Sequence, residues 1–95
     1  MPYIISGIRE WFDPHIEKMF DHEPLTVGDV NYIVTKVMLR YVNQSKNTSM
    51  AFMSKYTAGA MVIGTVICAV LEFYRRFLVP HEKLKIEENG DVYPD

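Results

Sequence analysis

Tyr32, Lys36 and Arg40 stand four residues apart, so on a helix they form one stripe, an aromatic face followed by two cations. Such a stripe can stack a planar ring and hold a phosphate. An ordinary solvated helix face with a half-buried tyrosine carries the same residues. A second cluster, Glu72, Tyr74, Arg75 and Arg76, lies further along. Glu72 is three residues before Arg75 and four before Arg76, which is ion-pair spacing on a helix. Adjacent arginines project roughly 100° apart, so Glu72 cannot serve both. The other is left for a tail carboxylate, a partner or an anionic ligand. The candidate ligand-binding residues are therefore Tyr32, Lys36, Arg40, Tyr74, Arg75 and Arg76.

Other chemistry finds little footing. His15 and His22 are seven residues apart and His81 is remote, so no i, i+4 metal pair exists and no metal site is expected. There is no phosphate-binding glycine loop, nucleophile elbow or HExxH motif, and no base placed by a motif beside a serine or cysteine. Neither enzymatic activity nor a cofactor is expected. A net charge of −2 and a pI near 5.9 argue against a nucleic-acid polymer as partner. Cys68 is the one cysteine, which rules out an intrachain disulfide and fits a reducing compartment. The start, Met1-Pro2-Tyr3-Ile4-Ile5, lacks a basic n-region and a long apolar run, so a cytoplasmic, unprocessed chain is expected.

Positioning these residues falls to helices. Asp13-Pro14 reads as a helix start, with Ile16, Met19 and Phe20 on one face and Glu23-Pro24 as the stop. Residues 1–12, with Trp11 and Phe12, read as an arm that packs by its aromatics. Thr26 and Asp29 form a capping box, and Leu25 can staple to Val30. Val30, Ile33, Val34, Val37, Met38 and Tyr41 then keep the 3.6 period of an amphipathic helix to about Val42. Asn43 to Ser49 is polar and reads as a loop. A third helix is predicted from about Met50 to Leu78, where Pro80 stops it.

Within that helix, Tyr56 to Leu71 is sixteen residues without a charge, apolar all round. A surface helix of a small monomer cannot be so, because one side would face water. The whole helix expected over 50–78, roughly 44 Å long, also exceeds the ~32 Å diameter of a compact 95-residue globule. Either it kinks, with Gly59 and Gly64 as candidates, or other copies cover it. Ala60, Gly64 and Cys68 form a small-residue stripe where another helix could approach closely, and are the expected oligomer interface. A membrane could also cover the run, but sixteen residues fall short of the roughly twenty that span a bilayer.

The tail is charged. Asn89-Gly90 is a turn signal flanked by Ile86 and Val92 at hairpin-like distance. It reads either as a solvated end or as a hook docked on a neighbouring subunit, anchored by Val92 and Tyr93, with Glu87, Glu88 or Asp91 reaching Arg75 or Arg76.

Lys85-Ile86-Glu87-Glu88-Asn89-Gly90-Asp91-Val92-Tyr93, preceded by Glu72-Phe73-Tyr74-Arg75-Arg76 and Pro80, resembles a family of small uncharacterised proteins common in bacterial, phage and metagenomic sequences. Met1-Pro2-Tyr3-Ile4 and Asn31-Tyr32-Ile33-Val34-Thr35-Lys36 fit the same pattern. The resemblance covers about half the positions, and its tail motif is specific. It carries no established activity over to this chain. Its pattern often has a glutamate and a lysine where this chain has Ile67 and Val70, which makes this helix more adhesive.

The expected fold is all-α and a single domain over residues 1–95: an arm (1–12), a helical core (13–80) and a charged tail (81–95). A short helix, an amphipathic helix and a long C-terminal helix form a hairpin multiplied into a homo-oligomer. The expected function is a non-enzymatic binding protein whose intersubunit pockets hold a small anionic, nucleotide-like ligand. In a phage setting, which rests on analogy, that means sequestering a host defence signalling nucleotide. The alternatives are an adaptor or inhibitor of a host protein and, third, a single-span membrane protein.

Overall fold

A computed structural model describes residues 2–44 and 54–94. The architecture is all-helical, with no strand among the described residues. Helix α1 spans Ser6–Lys18, α2 spans Val27–Gln44, and α3 spans Lys55–Phe73. A π-turn over Tyr74–Leu78 joins α3 to α4, Val79–Asn89, without a break. The continuous helix Lys55–Asn89 has 35 residues, roughly 52 Å of rise.

Helix α2 follows its sequence signals closely. The Thr26 N–H donates to Asp29 Oδ2 at 2.9 Å and the Asp29 N–H donates to Thr26 Oγ1 at 3.1 Å, the reciprocal capping box. Three other boundaries differ from the sequence expectation. Helix α1 starts at Ser6, and Pro14 sits inside it rather than opening it. Pro14 denies the Glu10 carbonyl its usual N–H partner, yet Ile5, Ile8, Phe12 and Ile16 keep helical spacing through the segment expected as an arm. At the start of α3, Ser54 Oγ accepts the Thr57 N–H at 3.1 Å, so the cap is Ser54. The polar loop expected at 43–49 falls mostly outside the described residues, as does the helix start expected at Met50.

The third difference is the largest. Pro80 does not stop the long helix. In a regular α-helix its ring would collide with the carbonyl one turn earlier. Over Tyr74–Leu78 the helix widens, and the Val79 N–H reaches back five residues to the Tyr74 carbonyl. Pro80 thus enters at the start of α4, where a missing N–H costs little. The irregularity lies here and not at Gly59 or Gly64, which both stay within α3. The true stop is Gly90, with φ 86° and its N–H on the Ile86 carbonyl at 2.8 Å. Asn89-Gly90 is therefore a helix terminus, not a hairpin turn.

Helix α2 packs on α3 at Ala58, fully buried, and Val62. These two residues are the whole buried apolar core among the described residues. Apolar hollows of about 280 and 450 Å³ remain beside the crossing, the first between Met38 and Val62, the second between Val37 and Val66. The radius of gyration is 17.9 Å, against the roughly 12 Å of a compact chain this long. The long helix is also apolar and long enough to cross a membrane on length and composition.

Candidate functional site

Helix α2 brings Tyr32, Lys36 and Arg40 onto one edge of a groove of about 510 Å³. Their i, i+4, i+8 spacing does this directly, since α2 is regular from Val27 to Gln44. Ile33 and Val37 supply an apolar floor, and Met19, from the turn after α1, closes one side. The Lys36 ammonium lies 6.0 Å from the centre of the Tyr32 ring, at the outer limit of a cation–π contact. Tyr32 stays well exposed, so its ring face is available for stacking. A flat apolar floor, an aromatic ring and two cations suit a planar, anionic small molecule.

Tyr74, Arg75 and Arg76 do not join this groove within one chain. The Tyr74 hydroxyl donates to both oxygens of Glu82, at 3.2 and 3.0 Å. That bond to a carboxylate raises the phenol's pKa above its ordinary value. Tyr74 instead lines a hollow of about 460 Å³ between α4 and the tail, with Lys85 and Tyr93. Arg75 donates to Glu72 at 2.7 Å, the local i, i+3 pair.

The expected tail contact to Arg75 or Arg76 is not made. It required a reversal at Pro80. With the helix continuous, Glu87 is eleven residues beyond Arg76, roughly 16 Å along the axis. Glu88 pairs with Lys85 at 3.2 Å instead. Past Gly90 the tail does turn, with the Tyr93 N–H on Asp91 Oδ1 at 2.9 Å, but Val92 and Tyr93 are highly exposed.

Sequence reasoning missed Tyr3. Its hydroxyl donates to Glu72 Oε1 at 2.6 Å, a bond across 69 residues that pins the N-terminal segment to α3. Glu72 thus accepts from Tyr3 and from Arg75, and both bonds lower its pKa, Tyr3 more. The same bond raises the pKa of Tyr3. Beside it, Pro2, Cys68 and Leu71 border a hollow of about 270 Å³. Nothing local in the sequence pairs Tyr3 with Glu72; only the two motifs of the resemblance contain them.

Ala60, Gly64 and Cys68 are all exposed, and nothing lies within 4 Å of a Cβ built on Gly64. They sit roughly 160° around α3 from Ala58 and Val62, away from α2. Trp11 meets Phe12 edge-on at 4.9 Å and His15 at 4.8 Å, and the pair of large rings is exposed. Among the described residues, no group of three or more His, Cys, Asp or Glu side chains converges for a metal ion.

The chain belongs to a family described as a domain of unknown function (DUF6899), matched over residues 1–92. The match takes in all four helices together with the segment that carries Tyr3, and ends one residue before Tyr93. No curated protein and no solved structure matches the chain. The family establishes relationship without an activity, so function is argued from the grooves themselves.

Proposed function

We propose that this chain is a non-enzymatic, cytoplasmic binding protein that assembles as a homo-oligomer and sequesters a small anionic, nucleotide-like ligand. The observation that carries the reading is the α2 groove, where Tyr32, Lys36 and Arg40 flank an apolar floor. In this reading the base stacks on Tyr32 and the phosphates meet Lys36 and Arg40, with Tyr74, Arg75 and Arg76 contributed at intersubunit pockets. The phage-like sequence pattern, from Met1-Pro2-Tyr3-Ile4 to the tail motif, supports a setting in which the ligand is a host defence signal.

The test is thermal melting of the purified protein against a panel of linear and cyclic nucleotides. A binder present at 100 times its Kd adds about 2.7 kcal/mol of stability. Lys36→Ala and Arg40→Ala should each abolish most of that shift while leaving the unliganded melt unchanged. No shift with any nucleotide, at millimolar concentration, would sink the ligand reading. A host-protein adaptor is the second reading, supported by the exposed Trp11–Phe12 pair. It predicts that Trp11→Ala, not Lys36→Ala, loses the partner. The third reading, a single membrane span, is supported by the length of Lys55–Asn89 and predicts that purification requires detergent.

A further inference from the structure

The single chain leaves far too much surface in water. Its accessible area is 8582 Å², whereas a folded monomer of 11.0 kDa exposes about 5,600 Å². The excess, about 3,000 Å² on one chain, exceeds both the ~800 Å² per partner of a standard interface and the roughly 1,000–2,500 Å² per partner of most obligate ones. Along α3 and into the π-turn runs an uncovered row at 4-3-4 spacing: Ile63, Ile67, Val70 and Tyr74. These are 56, 51, 59 and 44% exposed. That spacing is the seam of two helices packed side by side at a shallow angle. Ile63 and Val70 border the hollows beside α2, yet α2 leaves both more than half exposed, and Ile67 and Tyr74 lie outside those hollows.

What covers the row can be decided from how exposed apolar residues are distributed. Only Tyr56 to Leu71 is charge-free, about 24 Å of helix, before Glu72, Arg75 and Arg76. A bilayer could take that stretch alone. Yet Phe77 and Leu84 are equally exposed beyond the charges, as are Val37 on α2 and Trp11 on α1. A surface that needs covering on every helix, on both sides of a charged cluster, fits other copies of the chain.

We infer that a second copy packs along Ile63, Ile67, Val70 and Tyr74, across a two-fold axis near the middle of this row. Tyr74 then lies in the seam, and Arg75 and Arg76 beside it, so a pocket using these three is built by two chains. That last step rests on the binding reading above, whereas the seam does not.

Light scattering of the detergent-free protein should give a multiple of 11.0 kDa. Ile67→Asp should reduce that mass at least twofold. In a Cys68→Ser background, Ile67→Cys should cross-link on mild oxidation into a species of doubled mass on a non-reducing gel. This second variant decides the matter if Ile67→Asp does not fold. A wild-type mass of 11 kDa overturns the inference, as does a need for detergent. So does an oligomer in which Ile67→Asp keeps its mass and Ile67→Cys fails to cross-link. If the oligomer behaves as stated but no nucleotide shifts its melt, the seam stands and the ligand reading falls.

Discussion

Glu72 is the most heavily used side chain on the long helix, and its bond to Tyr3 has both an acid and an alkaline limit. Its pKa is lowered, first by the Tyr3 hydroxyl and then by Arg75, so its contribution is present above the ordinary carboxylate value and is lost as pH falls through the depressed value. The Tyr3 pKa is raised by Glu72, so its contribution is present below the ordinary phenol value near 10 and is lost as pH rises through the raised one. The tether of the N-terminal segment should therefore hold across the neutral range and open at both extremes. Amide exchange at Ile8 and Arg9, whose N–H groups both donate to the Ile5 carbonyl at 3.1 Å, should show this as protection at neutral pH that falls in acid. Tyr3→Phe should lower the protection at every pH while sparing residues 30–40. A wild-type segment that exchanges fully at neutral pH would mean that the bond is not maintained. No spacing rule could have found this contact, because it links residues 69 apart. The Tyr32, Lys36 and Arg40 stripe was legible for the opposite reason, its geometry being local to one regular helix.

At the scale of elements, the two ends of the fold were read with unequal success, and proline explains why. Thr26 and Asp29 announce α2 because a capping box satisfies two backbone donors whatever the tertiary setting. Thr26→Ala should cost about 0.5–2 kcal/mol, readable as a fall in the urea midpoint with an unchanged slope. Pro14 and Pro80, by contrast, mark only what a regular helix dislikes. Pro14 is tolerated one turn from the end of α1, and Pro80 is absorbed by a π-turn that sequence periodicity does not reveal. Reading Pro80 as a stop moved the whole tail, and with it the expected pairing of its carboxylates. Gly90 carries the termination instead. At φ 86° a side chain is strained whatever space surrounds it, so Gly90→Ala should redirect residues 91–94. The check is the fluorescence anisotropy of a dye placed at Asp91→Cys in a Cys68→Ser background. Gly90→Ala should change it, and an unchanged value would show that the turn does not depend on this φ.

For the whole molecule, the all-helical class was legible from the period and capping box of α2 and the long uninterrupted apolar run of α3, whereas what covers the helices was not. The sixteen-residue uncharged run shows that something must cover it, and the structure adds that α2 covers only the face of Ala58 and Val62. Gly64 offers a test whose sign depends on the answer. Within one chain, a side chain there meets nothing within 4 Å. Replacing glycine by leucine inside an exposed helix should then raise stability by up to about 1 kcal/mol, through helix propensity alone. If another helix lies against the Ala60, Gly64 and Cys68 stripe, the added volume must be accommodated at the contact, at about 1–3 kcal/mol per site. Gly64→Leu should therefore lower the melting temperature and shift the light-scattering mass toward smaller species. The effect should be larger at low protein concentration, because dissociation is then favoured by mass action. A higher melting temperature with unchanged mass would place every interface away from this stripe. It would also confine association to surfaces such as the row of Ile63, Ile67, Val70 and Tyr74.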